Sequence, residues 1–367
     1  MKKKRLLSLD VYRGMTIAFM IIVNTPGSWQ YVYAPLRHSE WHGCTPTDLV
    51  FPSFLFIVGV SMWFSMKKYG HNLNYSSVLK IIYRTAIIFA AGFILNWFPF
   101  AGKELSGIRI MGVLQRIALA YGIAAFLCIL VKRQYLWVVS AFILLSYWAL
   151  LYFAGGSSPY SLEGNVVLAV DRAILGKEHL YNGFGIAFDP EGLLSTIPAV
   201  ANVIIGFIAG SILGKGQPDI RKVMKILLWG IALTLAGIVW DIWLPVNKPL
   251  WTSSYVLYTS GLSFIILALL YLLIDVFNWK GWAGFFKVFG MNALFIYMTA
   301  SLWTKTMLLI RIGAEGEKVS LYSWIYDSLC VPVLGYMNGS LMFAILQVLL
   351  MWLLVYILYR KRIFIKV

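Results

Sequence analysis

Apolar residues in this chain come in long, nearly unbroken runs. They lack the alternation of a half-buried strand and the narrow stripe of a surface helix. A helix rises about 1.5 Å per residue and needs about 20 apolar residues to cross the hydrocarbon of a bilayer. Ten runs approach that length: 8–25, 49–66, 79–98, 108–131, 135–153, 192–213, 223–244, 253–274, 288–309 and 340–359. A further stretch at 320–336, LYSWIYDSLCVPVLGYM, is interrupted by Asp327 and Pro332. It is expected to form an interfacial or re-entrant helix, or an eleventh span. No internal repeat, heptad run or low-complexity tract accompanies these runs, which counts against an inverted-repeat transporter.

Composition agrees with this pattern. The 367 residues are 60% hydrophobic and 13% charged, far from any soluble domain of this size. The 15 Trp and 21 Tyr suit rings anchored at two membrane interfaces. The fold expected is an all-α polytopic membrane protein of about ten transmembrane helices, forming a single transmembrane domain over 1–367. The net charge of +16 first raises the question of nucleic acid. With the N-terminus placed in the cytoplasm, however, 19 of the 31 Lys and Arg fall in the inner connections and nine on the outer side. That is the positive-inside pattern, which explains the charge without nucleic acid and puts both termini in the cytoplasm. The opening MKKKRLLSLDVYRGMTIAF begins like a secretory leader. Asp10 and Arg13 interrupt it and no A-x-A-like site follows, so an uncleaved first helix is expected. Three cysteines make no framework and show no C-x-x-C spacing. Cys128 reads as core filler, and Cys44 and Cys330 allow at most one outer bridge.

Inner connections are short and plain, whereas outer ones are longer and mixed. The largest, 154–191, is expected either as a lid or binding element or as a solvated excursion. The densest polar stretch is RHSEWHGCTPTDLVFP at 37–52, where polar groups at a membrane edge carry a desolvation cost that function would justify. A neutral His38 imidazole there can accept a proton near neutral pH. The bland alternative is an interfacial histidine bonding headgroups. His42, four residues on, would share a helical face with His38 if the stretch were helical; no metal-ligand pattern surrounds the pair. Asp48 or Glu40 can orient the imidazole. Asn24 ends the first run and either completes an oxyanion hole or caps the helix in the left-handed conformation. Asp10 and Arg13 pair at i, i+3, unless Arg13 grips a phosphate at the inner mouth. Arg116, beside Gln115, lies inside an apolar run and requires a carboxylate, a phosphate or a watery cavity. Asp189 and Glu191 precede a span and suit its N-terminus as caps. Asn247 and Lys248 lie in an outer loop, where Lys248 can hold an anion. Asn292 reads as interhelical glue.

Six segments carry a resemblance: RLLSLDVYRGMTIAFMIIVN, HSEWHGCTPTDLVFPSFLFIVG, GIRIMGVLQRIALAY, FDPEGLLSTIPAVANVIIGFIAG, PVNKPLWTSSYVLYTSG and GMNALFIYM. In this order they resemble the heparan-α-glucosaminide N-acetyltransferases and their bacterial relatives over nearly the whole chain. The match starts near Met1, without the lumenal domain of the lysosomal members. The bacterial form, in the inner (cytoplasmic) membrane, is therefore expected. The resemblance implies a transmembrane acetyltransferase that uses acetyl-CoA as donor, needs no metal, and acts on the amino group of a glucosamine-type sugar or glycan at the outer side; it also suggests a homodimer. The family's catalytic histidine lies in H-x-x-W-x-G-x-T-x-x-D-L-V-F-P, which here is His38 with Trp41, Gly43, Thr45, Asp48, Phe51 and Pro52. The asparagine ending the first span maps to Asn24, and the stretch between it and His38 is longer here than in the lysosomal enzymes. Catalysis is thus assigned to His38, Asn24 and Asp48, with His38 as base or as acetyl-accepting nucleophile. Donor binding is assigned to Arg13, Gln115, Arg116, Asn247 and Lys248. The rivals are a transporter or flippase of amino sugars, and an O-acetyltransferase of an envelope glycan.

Overall fold

The structure is a computed structural model that describes residues 6–66, 74–214, 216–313 and 318–365. Of the inner basic residues above, Lys2, Lys3, Lys4, Arg5, Lys67, Lys68, Lys215 and Lys366 lie outside the described residues. Helix α1 is Leu7–Asn24. A 3-10 turn, Pro46–Leu49, runs directly into α2, Val50–Met66. Then come α3 (Tyr75–Trp97), α4 (Val113–Leu130), α5 (Leu136–Ala154), the short α6 (Val166–Leu175) and α7 (Thr196–Leu213). They are followed by α8 (Ile220–Asp241), α9 (Ser253–Tyr271), α10 (Ala283–Met291) and α11 (Ala293–Leu309). Last come α12 (Leu321–Ile325) and α13 (Val331–Arg360). Among the described residues nine helical stretches are long and apolar enough to span a bilayer, and α10 with α11 makes a tenth if the bent pair counts as one span. The chain is an all-helical, multi-pass membrane protein, as the hydrophobic pattern predicts. The sole strands among the described residues, Arg311–Ile312 and Val319–Ser320, form one two-residue antiparallel ribbon.

The chain divides into two compact units. The first comprises Met1–His38, Thr45–Val50 and Trp279–Lys366. Here α1 packs along α10, and also against α11, α13 and the 46–49 turn. The α1–α10 crossing is backbone on backbone. A Cβ at Gly14 would sit 1.8 Å from the Phe286 carbonyl oxygen, and one at Gly290 would sit 1.9 Å from that of Asp10. Small residues at such crossings allow the close packing on which helix association in lipid depends.

One feature of this unit departs from the spans read off the sequence, and a second decides between two of the readings. The run 288–309 is not one helix, because α10 and α11 meet at 83°. Asn292 sits at the corner and turns its amide to the C-terminal strand of chain, donating to the Ile363 carbonyl (3.2 Å) and accepting from Ile365 N–H (2.9 Å). It is a corner pin rather than interhelical glue. The deciding feature is at 321–360, where the helical path breaks at Gly335 (φ 73°). Tyr326 donates its hydroxyl to the Tyr336 carbonyl at 2.9 Å, ten residues on. A straight helix would separate these residues by about 15 Å, so the chain doubles back. The stretch 321–334 is therefore a hairpin arm of about 20 Å, shorter than the roughly 30 Å hydrocarbon core. The re-entrant or interfacial reading describes it, and the eleventh-span reading does not.

The second unit comprises Ser39–Cys44 and Phe51–Asn278. Its axis is α7, buried almost throughout, against which α4, α5 and α9 pack; α3 packs on α4, and α8 on α9. Glycines let α2 cross α7 at contact distance, since a Cβ at Gly206 would lie 2.1 Å from the Phe56 carbonyl oxygen. The connection 154–191 is neither a bare excursion nor loose. Asn165 caps α6 by accepting from Leu168 N–H (2.8 Å). Val167, Leu168 and Phe188 join Tyr147, Leu151, Leu244 and Leu250 in one apolar cluster. All three cysteines are free thiols, so Cys44 and Cys330 form no bridge.

Candidate active site

The first unit holds His38 in a defined setting. The sequence T-P-T-D before an apolar run is a helix-start signature, and the 46–49 turn opens with a capping box. Thr45 N–H donates to Asp48 Oδ2 at 3.1 Å, and the Thr45 hydroxyl lies 3.0 Å from the same oxygen and 2.7 Å from the Arg37 carbonyl. The cap thus occupies Asp48 Oδ2 and aims Oδ1 at His38. His38 Nδ1 lies 2.6 Å from Asp48 Oδ1. A carboxylate only accepts, so Nδ1 carries the ring proton and the basic lone pair of the neutral imidazole falls on Nε2. Asp48 is fully buried whereas the His38 side chain is 45% exposed. An anchored acid behind an accessible imidazole is the arrangement that fixes tautomer and direction for a general base or nucleophile.

Asn24 is the last residue of α1, and the left-handed conformation that would have made it a C-cap is absent; Thr25 caps instead. The Asn24 side chain is exposed and makes no hydrogen bond among the described residues. The connector from Asn24 to His38 is held within the same unit by the hairpin. Gly27 N–H donates to the Ser340 carbonyl (3.1 Å), Tyr322 donates to the Pro26 carbonyl, and Tyr31 stacks on Tyr336. Arg37 braces its own loop through Nε to the Val32 carbonyl, 2.7 Å. Arg13 pairs with Asp10 (3.4 Å) and donates to the Gly290 carbonyl (3.0 Å), which is the structural role read for the pair.

In the second unit, residues 39–44 form an irregular strap, so His42 and His38 do not share a helix face. Gly43 N–H donates to the Val246 carbonyl (2.7 Å), and Trp41 Nε1 donates to the Tyr160 carbonyl (2.8 Å). Asn247, fully buried, donates to the Trp41 carbonyl (2.9 Å), approaches His42 Nδ1 (3.3 Å) and accepts from Leu250 N–H (2.7 Å). Its amide is engaged by protein. Burial holds the His42 pKa below its ordinary value, against the opposing pull of Asp241.

The same unit contains a buried polar cluster. Arg109 forks onto both oxygens of Asp189 (2.7 and 2.6 Å) and reaches Glu191 (2.6 Å). Asp189 and Glu191 therefore hold Arg109 rather than cap a helix. Burial works against both partners' charges. The ion pairs outweigh it, leaving the Arg109 pKa raised and that of Glu191 lowered, with Arg116 and Lys248 adding to the latter. Arg116 is wholly buried, stacks over Trp251 (4.6 Å) and donates to the Gly192 carbonyl (3.3 Å) and to Ser195 Oγ. Trp251 in turn donates to Asn202 (2.8 Å), and Asn202 to Ser260 (2.9 Å). Among the described residues, Arg116 Nε and Nη1 and Gln115 Nε2 are buried donors without a hydrogen-bond acceptor. Burial pushes the Asp171 carboxyl up to about 6. Sequence reasoning missed Arg109, Asp171, Asn202 and Trp251. The only available signal for Arg109 was its place in GIRIMG, seven residues ahead of Arg116, with the acids that complete the cluster about 80 residues away.

Comparison with known proteins points one way. Residues 5–164 match the family described as heparan-alpha-glucosaminide N-acetyltransferase, catalytic. Over 354 residues the chain is 30% identical to a Mus musculus heparan-alpha-glucosaminide N-acetyltransferase, covering 80% of this chain and 53% of that protein. The Homo sapiens protein of the same name is 29% identical, with 80% and 52% covered. The chain thus spans about half the length of the curated relatives it matches.

Proposed function

Because the chain belongs to the heparan-α-glucosaminide N-acetyltransferase family, we propose that it is a membrane acetyltransferase moving an acetyl group from acetyl-CoA to the amino group of a glucosamine-type sugar on the outer face of the membrane. The observation that carries this reading is the 2.6 Å contact of His38 Nδ1 with a buried, capped Asp48. It equips Nε2 to take the proton of an attacking amine. Acetyl-CoA supplies an activated thioester carbonyl. As the amine nitrogen bonds the acetyl carbon, His38 Nε2 accepts the amine proton. The carbon–sulfur bond breaks and the thiolate leaves, recovering that proton as the thiol. Asn24, with an exposed amide at the end of α1, donates to the developing oxyanion. Asp48 stabilises the imidazolium that forms.

Donor recognition is assigned to Arg116 and Gln115, whose buried N–H groups lacking acceptors suit a ligand rich in carbonyl and phosphate oxygens. Lys248 and Arg13 are assigned supporting charge, and Asn247 is assigned to holding the 39–44 strap. The deciding experiment is transfer of radiolabelled acetyl from acetyl-CoA to glucosamine by the purified protein, beside His38→Ala. Transfer that disappears in the variant is expected. A variant with full activity overturns the scheme. Binding without transfer to amines, but with transfer to a glycan hydroxyl, would move the acceptor to the O-acetyl class.

A further inference from the structure

The second unit carries a basic cleft of about 430 Å³ where α5, α7 and α8 present their ends. It lies at the opposite end of these helices from the 39–44, 155–195 and 242–252 connections described above. Arg133, Arg221, Lys222 and Lys225 line it, with Trp137 and Trp229. The two helices that flank it repeat one device. Arg133, in the 3-10 turn that leads into α5, precedes Trp137 by four residues, and Lys225 precedes Trp229 by four residues on α8. The two indoles stack, with centroids 4.6 Å apart and planes at 20°. Four residues of helix rise about 6 Å. The cations therefore sit one turn beyond a shared aromatic floor, the order of charge and ring found at a bilayer interface.

Three features give this cleft a specific occupant. First, no acid is among the described residues that line it, although Asp219 lies near enough to act on Lys222. Lys222 donates to the Gln217 carbonyl at 2.8 Å, Arg133 lies over the Trp63 ring at 5.8 Å, and the nearby Asp219 accepts the Arg221 backbone N–H in capping α8. The Arg133, Arg221 and Lys225 side chains are exposed. Second, beside and below the rings the flanks stay apolar and exposed, through Val138 and Phe142 on α5 and Leu228 and Leu235 on α8. Third, α5 and α8 are each only 28% buried within the molecule, so these flanks face the surroundings of the protein. A free phosphate or a nucleotide would satisfy the cations and leave the flanks uncovered. A phosphate bearing acyl chains satisfies both.

We propose that this cleft is a binding site for an anionic phospholipid, its phosphodiester held by Arg221, Lys225 and Arg133 and its chains laid along the exposed flanks of α5 and α8. The site is independent of the acetyl-transfer reading. Basic residues at a membrane surface each contribute about 1 kcal/mol toward an anionic lipid, so removing two cations weakens binding about 30-fold.

The test is native mass spectrometry of the full-length protein titrated with phosphatidylglycerol or phosphatidylcholine. Arg221→Gln/Lys225→Gln should bind phosphatidylglycerol about 30-fold more weakly, with phosphatidylcholine unchanged, and Arg221→Lys/Lys225→Arg should retain most of the binding. Arg133→Gln alone, about fivefold weaker, serves if the double variant does not fold. Lys103→Gln, on a distant connection, should change nothing. Undiminished phosphatidylglycerol binding in the glutamine variants overturns the site. Displacement of the lipid by micromolar adenosine 3′,5′-bisphosphate would assign the cleft to a soluble nucleotide phosphate instead and overturn the lipid.

Discussion

Replacing Asp48 by asparagine isolates the central idea, because it changes one atom and inverts a proton. Asp48 meets the Thr45 N–H at 3.1 Å and the Thr45 hydroxyl at 3.0 Å on Oδ2, and His38 Nδ1 at 2.6 Å on Oδ1. An amide can accept on one side only. The Thr45 N–H is a backbone donor in the capping box and cannot turn away, so the asparagine oxygen goes there and its NH2 faces His38. Nδ1 must then accept, the ring proton moves to Nε2, and the basic lone pair is lost from the atom that receives the substrate proton. Wrong-tautomer changes of this kind in other enzymes cost about ten-thousand-fold, or about 5 kcal/mol of transition-state stabilisation. The cap survives apart from its charge at the turn, worth about 0.3–1 kcal/mol. The expected result is therefore a variant that melts within a few degrees of the parent yet transfers acetyl a thousandfold or more slowly, roughly the range above. Rates from radiolabelled transfer, alongside thermal unfolding in the same detergent, measure both. Asp48→Asn with transfer within about threefold of the parent, while His38→Ala is dead, would refute the tautomer argument and leave His38 acting without an orienting acid.

Three further outcomes follow from the second unit. Arg109→Met removes the guanidinium that pairs with the fully buried Asp189 and the mostly buried Glu191. It should cost about 3–5 kcal/mol in thermal unfolding, partly restored by adding Asp189→Asn, and an unchanged melting temperature counts against a structural role for the cluster. Asp171 has its pKa raised from 3.8 to about 6 in the fold. The folded state then holds the extra proton between these values, and this group's contribution falls as pH rises from about 4 to above 6, by roughly 3 kcal/mol. Asp171→Asn should remove that component and melt higher than the parent at pH 7.5 but not at pH 4; equal gains at both would refute it. Gly206→Val places a Cβ about 2.1 Å from the Phe56 carbonyl oxygen. It should abolish monodisperse protein on size-exclusion chromatography, because the clash is with backbone, which cannot rotate aside.

The sequence by itself determined the membrane class, nine or ten of the spans and the His38 motif. Each depends on composition over a contiguous window or on local spacing. The Thr45–Asp48 cap went unread, although it carries a local signal of the same kind, a three-residue spacing before an apolar run. What failed was everything that needed a partner far along the chain. In lipid every face of a helix is apolar, so periodicity reports neither which face packs nor which polar residue meets which. Nothing in the neighbourhood of Arg109 names Asp189, and nothing around Asn247 names Trp41, 206 residues away. Asn292 sits inside the run 288–309, which composition reads as continuous. Asp327 and Pro332 already signalled the break near Gly335, but only the tertiary structure turns 288–309 into an 83° corner, because the backbone at one residue redirects the chain without altering its hydropathy. The same holds for the stacked Trp137 and Trp229. Each is an ordinary interface aromatic in the sequence, and the fold alone makes them one floor beneath a ring of cations.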